Sequence, residues 1–288
     1  MMPRIFITGG SSAIGQLVIS RLSACGCNVM ALTHRQFLPG GLPVKTVVGS
    51  ILDPESYKEA VREAEVVLHL AGLSHSDMPK QYDEVNTVGT SCLLGVCAPT
   101  TFFVYVSTRC AHPDGGDYAV SKLRAEQYVV SSGLRYAIVR PAEIYGTKAG
   151  EGIDRMLQFA LRYRLVLDFR LLGSVAYAPI SADEVAEFLV KAAVQPRRDK
   201  AVYTLCAERS WTVDDICCVL TRFRGCRHFI LPIPIRLLEV LMKMRIPMPF
   251  KRDQLARLIV SKSYDLSAAR MDYGFNPRPF TEYIHTLS

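Results

Sequence analysis

The sequence predicts an α/β protein with a doubly wound, mostly parallel sheet of Rossmann type and a small, discontinuous C-terminal lobe. Short β-rich runs alternate with helical-period segments from the N-terminus to about residue 146. The first such run, Arg4-Ile-Phe-Ile-Thr8, meets a Gly-rich turn and then a helical pattern. A later run, Thr101-Phe-Phe-Val-Tyr-Val106, is apolar almost without a break, as parallel strands covered on both faces are.

The turn is Gly9-Gly10-Ser11-Ser12-Ala13-Ile14-Gly15, after which Ile14, Leu17, Val18 and Leu22 recur at helical spacing. Strand, Gly-rich turn and helix together present backbone N–H groups and the positive helix end to a pyrophosphate. Thr8, Gly9, Ser11, Ser12, Ala13, Ile14 and Gly15 are therefore candidate cofactor-binding residues. The second strand, Cys27 to Thr33, ends in Thr33-His34-Arg35. An acid at that place, about 20 residues past the fingerprint, would bind the ribose hydroxyls of NAD. Its absence, with Arg35 able to pair with a 2′-phosphate, favours NADP over NAD.

Val44 to Asp53 gives a third strand, with Asp53 an expected N-cap ahead of Pro54. Glu65 to Gly72 carries the fourth, and Thr101 to Thr108 the fifth, which delivers Ser107 and Thr108 to the carboxyl edge where open α/β sheets bind ligands. Leu134 to Gly146 is the sixth. Ser181-Ala-Asp-Glu184 and Thr212-Val-Asp-Asp215 read as capping boxes that open helices, and Ala201 to Leu205 as a further strand. The expected division is a dinucleotide-binding domain over 1–146, joined again by 176–205, and a helical substrate lobe from 147–175 and 206–288.

Hydrophobic residues make up 49% of the 288, ample for a core of that size. The nine cysteines, with no metal-type spacing, read as reduced thiols of a cytoplasmic protein, and no metal site is expected. The N-terminus runs straight into a strand pattern without a signal-peptide profile. The apolar run Phe229 to Phe250 carries four charged residues and four prolines, so it is read as a buried helix and not as a membrane span. A net charge of +7 suits anionic ligands, and the scattered basic residues show no nucleic-acid motif.

The chemistry centres on Tyr118-Ala-Val-Ser-Lys122. In a helix the phenol and the ammonium share one face, and the cation favours the phenolate, so that Tyr118 can exchange a proton near neutrality. With Leu123-Arg-Ala-Glu126, this segment resembles the YxxxK helix of the extended short-chain dehydrogenase/reductases, the nucleotide-sugar epimerase/dehydratase group.

The resemblance implies further roles. Thr8, Gly9 and Gly15 match the family's glycine pattern, with Ser12 in place of the middle glycine, where its hydroxyl is expected to donate to a phosphate. Asp53 matches an adenine-contacting acid, and Leu70-Ala71-Gly72 a segment that runs beneath the cofactor. Asn86-Thr-Val-Gly89-Thr90 resembles the NxxGT helix, and Arg140-Pro141 the RPxxVYG stretch near the nicotinamide. Thr108 maps to the catalytic hydroxyl, and Lys122 to the residue that also holds the nicotinamide ribose. The implied activity is that of an NAD(P)-dependent epimerase or keto-reductase of a nucleotide sugar in polysaccharide biosynthesis. The implied assembly is a homodimer through the Asn86 to Cys97 and Tyr118 to Val130 helices, with Leu93, Leu94, Val129 and Val130 as contacts. The loop Arg109 to Asp117 is shorter than in most relatives. Two other readings compete: a nucleotide-sensing protein without turnover, and a reductase of a hydrophobic ketone.

Overall fold

The computed structural model describes residues 2–34, 38, 41–42, 44–147, 152–170, 175–234, 256–257, 260 and 262–287. Its strands are β1 (Arg4–Thr8), β2 (Asn28–Thr33), β3 (Lys45–Val48), β4 (Val66–His69), β5 (Phe102–Val106), β6 (Arg135–Pro141), β7 (Ile144–Tyr145), β8 (Leu165–Arg170), β9 (Ile180–Ser181), β10 (Ala201–Leu205) and β11 (Phe229–Pro234). The helices are α1 (Ala13–Ala24), α2 (Lys58–Arg62), α3 (Pro79–Tyr82), α4 (Gly89–Val96), α5 (Gly116–Ser131), α6 (Ile153–Tyr163), α7 (Ala182–Val194), α8 (Val213–Arg224), α9 (Ser267–Tyr273) and α10 (Phe280–Thr286).

Seven strands form one parallel sheet in the order β10-β6-β5-β4-β1-β2-β3. The side-chain period of two explains both covers. On β1, Ile5 and Ile7 pack with Val18, Ile19 and Leu22 of α1 and Val185 and Phe188 of α7. Phe6 points the other way, into a core with Val67, Phe103, Leu93 of α4 and Val129 of α5. The doubly wound parallel sheet is the fold the sequence predicts. Strand order reverses between β1 and β4, so the ends of β1, β4, β5 and β6 open on the crevice where such sheets take ligands.

Both capping boxes form: the Ser181 and Thr212 hydroxyls accept from the Glu184 and Asp215 amides, with the carboxylates reaching back. Asp53 differs from expectation. It precedes a single 3₁₀ turn, Pro54–Ser56, and its side chain makes no cap bond. Its carbonyl accepts from the Ser56 amide and hydroxyl instead.

The C-terminal lobe is not purely helical. β8 and β11 pair in parallel as a second sheet, with α6 and α8 around a core that includes Leu157, Val166, Trp211, Ile216 and Phe280. The start of the apolar run at Phe229 is therefore strand, not buried helix, while 235–250 lie outside the described residues. Pro232 and Pro234 explain it, because proline interrupts a helix interior but is tolerated on an exposed edge strand. No helix among the described residues is long and apolar enough to cross a membrane.

Candidate active site

The turn after β1 is held by close backbone packing. Gly9 has φ of +73°, and a Cβ there would lie 2.6 Å from the Ala71 nitrogen and 2.7 Å from the Leu70 carbonyl carbon. At Gly15 a Cβ would lie 2.3 Å from the Gly9 oxygen. Only glycine lets the helix, the turn and the end of β4 approach this closely. Ser12 N-caps α1, its hydroxyl accepting from the Gly15 amide at 3.0 Å and donating to the Gly9 carbonyl at 2.8 Å. Its proton here goes to the Gly9 carbonyl inside the turn. The Ala13 and Ile14 amides belong to the first turn of α1, where N–H groups have no intrahelical acceptor.

Below the turn, Thr8 and His69 form a buried relay. Thr90 donates to the Asn86 carbonyl at 2.6 Å, so it accepts from His69 Nε2 at 2.9 Å. His69 Nδ1 then accepts from the Thr8 hydroxyl at 2.6 Å, and Thr8 accepts from the Ala71 amide at 3.1 Å. Burial, then the charge of Lys122, pushes the His69 pKa down to about 3, so it is a neutral structural group. Thr33 is buried at the end of β2, its hydroxyl donating to the Val47 carbonyl. Arg35 lies outside the described residues.

The second group of predicted residues lies where α5 packs by β5 and the loop after β4. Lys122 is buried, with Nζ donating to the Val106 carbonyl at 2.7 Å and lying 4.3 Å from the Tyr105 ring centre. Burial pushes its pKa down to about 7, against the pull of Glu126 and Cys110 in the other direction. A Cβ on Gly72 would sit 3.6 Å from Nζ, so the ammonium lies against the loop after β4. One helical turn earlier, the Tyr118 ring stands edge-on to Tyr82 at 6.0 Å. The Thr108 hydroxyl lies 3.1 Å from Cys110 Sγ and accepts from the Cys110 amide at 3.3 Å. Ser107 is buried, and its hydroxyl has no partner among the described residues.

Two further groups come from the C-terminal lobe. Arg257 places its guanidinium carbon 3.9 Å from the Tyr118 ring centre and donates to the Ser74 carbonyl at 3.0 Å. Lys262 reaches Glu143 at 3.1 Å, which also binds Arg109 through both oxygens at 3.0 and 2.7 Å and accepts from the Ala178 amide. Burial alone would raise the Glu143 pKa, but Lys262, Arg109 and the Ala178 amide bring it down to about 2.

The family model described as the NAD dependent epimerase/dehydratase family matches residues 5–206. The chain belongs to this family. Curated relatives include the NADH-ubiquinone oxidoreductase 40 kDa subunit of Neurospora crassa, 22% identical over 78% of this chain and 62% of its own length. A farnesyl-dihydroquinoline-oxide ketoreductase of Stigmatella aurantiaca is 27% identical over 60% of each. The chain thus spans about three fifths of the length of these two. The 2-alkyl-3-oxoalkanoate reductase of Stenotrophomonas maltophilia is 25% identical over 96% of this chain and 95% of its own. Among solved structures, MoeE5 in complex with UDP-glucuronic acid and NAD superposes with a TM-score of 0.77 at 19% identity, covering 98% and 97% of the two chains. The UDP-glucose 4-epimerase of Thermotoga maritima, with UDP-glucose, gives 0.75 at 20%, covering 98% and 96%. These likenesses show that the epimerase/dehydratase fold spans nearly the whole chain.

Within this epimerase/dehydratase frame the sequence-predicted residues fall at two places. Thr8 to Gly15, Thr33 and Leu70 to Gly72 lie at the ends of β1, β2 and β4, while Thr108, Tyr118, Lys122 and Pro141 lie on and beside the ends of β5 and β6. Pro141 accepts from the Arg109 amide at 3.0 Å. Asp53 is exposed at the head of its 3₁₀ turn. Leu93 and Val129 are fully buried in the core of their own chain, so they are not available as dimer contacts, whereas Val130 is exposed.

Asn86 was not anticipated as a site residue. It lies in a π-helical turn, Asp83–Val88, between α3 and α4, a placement that recurs at functional sites. Its side chain accepts from the Leu73 amide at 2.7 Å and donates to the Leu73 carbonyl at 3.1 Å and the Ser121 hydroxyl at 2.9 Å. It thereby joins the loop after β4 to α5. The NxxGT segment was the signal that marked it.

Proposed function

We propose that this chain is an NAD(P)-dependent oxidoreductase or epimerase acting at a secondary alcohol or ketone of a nucleotide sugar. The observation that carries the reaction class is Lys122, buried against Val106 and Gly72 one helical turn from Tyr118, with Thr108 at the end of the neighbouring strand. The glycine cradle at Gly9 and Gly15, which any Cβ would fill, and the Ala13 and Ile14 amides suit the pyrophosphate of a dinucleotide. Bound there, the cofactor supplies or takes the hydride.

The protein's own residues do the rest. Tyr118 exchanges the proton with the substrate oxygen, and Thr108 donates to the same oxygen, leaving the Cys110 thiol to donate to Thr108. Lys122 stabilises the Tyr118 phenolate and holds the nicotinamide ribose. Asp53 takes the adenine end, and Arg35 with Thr33 favours NADP. Residues 147–175 and 206–288 form the substrate lobe against a dinucleotide domain of 1–146 and 176–205, and the chain works as a cytoplasmic homodimer. A nucleotide-sugar substrate is supported by the UDP-sugars that MoeE5 and the Thermotoga maritima epimerase hold.

A reductase of a hydrophobic ketone is the second reading, favoured by the names of the farnesyl-quinoline ketoreductase and the 2-alkyl-3-oxoalkanoate reductase. Mass analysis of nucleotide released from the purified protein, followed by a panel of UDP-keto sugars and long-chain 3-oxoacids with NADH and NADPH, separates the two. Turnover confined to the oxoacids would overturn the nucleotide-sugar reading.

A further inference from the structure

The phenol proposed to move the proton lies one helical turn from Lys122 and is contacted by a second cation that no motif marks. Lys122 approaches from its own helix. Arg257 approaches from the C-terminal lobe, its guanidinium carbon 3.9 Å from the centre of the Tyr118 ring, while its Nη2 donates to the Ser74 carbonyl at 3.0 Å in the loop after β4. At that distance a guanidinium interacts with the ring face, and it interacts more strongly when the ring carries phenolate charge.

We propose that Arg257 is a positioning residue that acts through Tyr118, a second cation that holds the phenol in place and favours its ionised form. This rests on the reading of Tyr118 as the proton-transfer residue.

The division of labour follows from the two cations' surroundings. Lys122 is buried beneath the Tyr105 ring, and that burial lowers its pKa to about 7. A guanidinium stays charged throughout the range in which enzymes work. Arg257 therefore brings to the Tyr118 ring a positive charge that does not depend on the protonation of Lys122. Among the described residues, Tyr82 from α3 and Arg257 from the lobe meet the Tyr118 ring, Tyr105 from β5 interacts with it electrostatically, and Lys122 lies one turn along α5. Glu126 and Cys110 raise the proton affinity of Lys122, the first from the next turn of α5 and the second from the loop after β5. The lobe therefore does more than cover substrate. It contributes a charge to the reacting group, so that the placement of Arg257 and the ionisation of Tyr118 are coupled.

The test is a direct titration that needs no substrate. Tyrosinate absorbance is followed against pH in the full chain, and the contribution of Tyr118 is isolated by subtracting the Tyr118→Phe curve. Arg257→Met is expected to move that component upward by about one pH unit, a tenfold loss of phenolate at fixed pH. Arg257→Lys, which keeps the charge but not the planar stack, is expected to recover part of the shift and serves if the Met variant does not fold. A Tyr118 titration unmoved in either variant would overturn the proposal, even if the enzyme turns over carbonyl substrates. A shifted titration in a protein that turns over nothing would uphold it and count against the oxidoreductase reading instead.

Discussion

The two ends of the crevice are built in opposite ways. At the cofactor end everything is backbone. Gly9 and Gly15 bring α1, the turn and the end of β4 within contact, and the side chains nearby use their protons inside the protein, Ser12 on the Gly9 carbonyl, Thr8 on His69 and His69 on Thr90. At the reaction end charged side chains dominate: Lys122 and Arg257 lie beside Tyr118, and Arg109 and Lys262 pair with the Glu143 carboxylate. A backbone cradle tolerates almost no added atom but is indifferent to pH. A buried charge cluster tolerates isosteric change of shape but responds sharply to loss of charge.

The largest expected effect tests the charge cluster. Glu143→Gln keeps the shape and leaves Arg109 and Lys262 buried without their carboxylate, which is expected to destabilise the fold by about 3–5 kcal/mol. Urea unfolding at pH 7 measures it. The sign of the pH dependence follows from the carboxyl being held near 2 in the fold against 4.5 unfolded. The stability that Glu143 contributes is complete above 4.5 and is lost as pH falls toward 2, so the variant and the wild type should converge in acid. Parallel stability curves from pH 7 down to pH 3 would remove Glu143 from this role.

Next comes the cradle. Gly15→Ala forces a Cβ to within 2.3 Å of the Gly9 oxygen, a backbone atom that cannot swing away. We expect a loss of about 1–3 kcal/mol in stability. Cofactor affinity should fall tenfold or more, with no change in pH dependence. Calorimetric titration with NADH and NADPH reads this out, and wild-type affinity in the variant would show that the turn is not the pyrophosphate site.

The smallest effect has the opposite sign. Lys122 binds its proton near pH 7 when folded and at 10.5 when unfolded. Between those values the unfolded chain holds more protons, so stability rises with pH there, and the full burial penalty applies below about 7. Lys122→Met is therefore expected to stabilise the protein by about 1–3 kcal/mol at pH 7 while impairing turnover, with the gain vanishing above pH 10.5. A destabilised variant at neutral pH would mean that the Val106 bond and the Tyr105 contact outweigh desolvation.

The same contrast explains what could be read from residue order. The cradle, the four-residue spacing of Tyr118 and Lys122, and both capping boxes are local patterns, set by helix and turn geometry within a few positions. The seven-strand sheet was legible for a related reason, since buried parallel strands declare themselves by composition alone. The lobe's contributions were not legible. Lys262 meets Glu143 across 119 positions and Arg257 meets Ser74 across 183, and nothing in the local sequence of either residue marks a partner at that distance. The π turn that aims Asn86 was missed because its insertion leaves the helical periodicity nearly intact. Phe229 to Pro234 was misjudged by weighing apolar content over the two prolines that favour an edge strand.

The central claim is that proton transfer at Tyr118 is separable from cofactor binding, and one variant tests it. In Tyr118→Phe, kcat is measured by reduced-nicotinamide absorbance on whichever carbonyl substrate the wild type accepts, and cofactor affinity by calorimetry on the same preparation. A fall in kcat of about 10²–10⁴ is expected with cofactor affinity unchanged, because the lost hydroxyl acts only on the reacting oxygen. Wild-type turnover in Tyr118→Phe would contradict it.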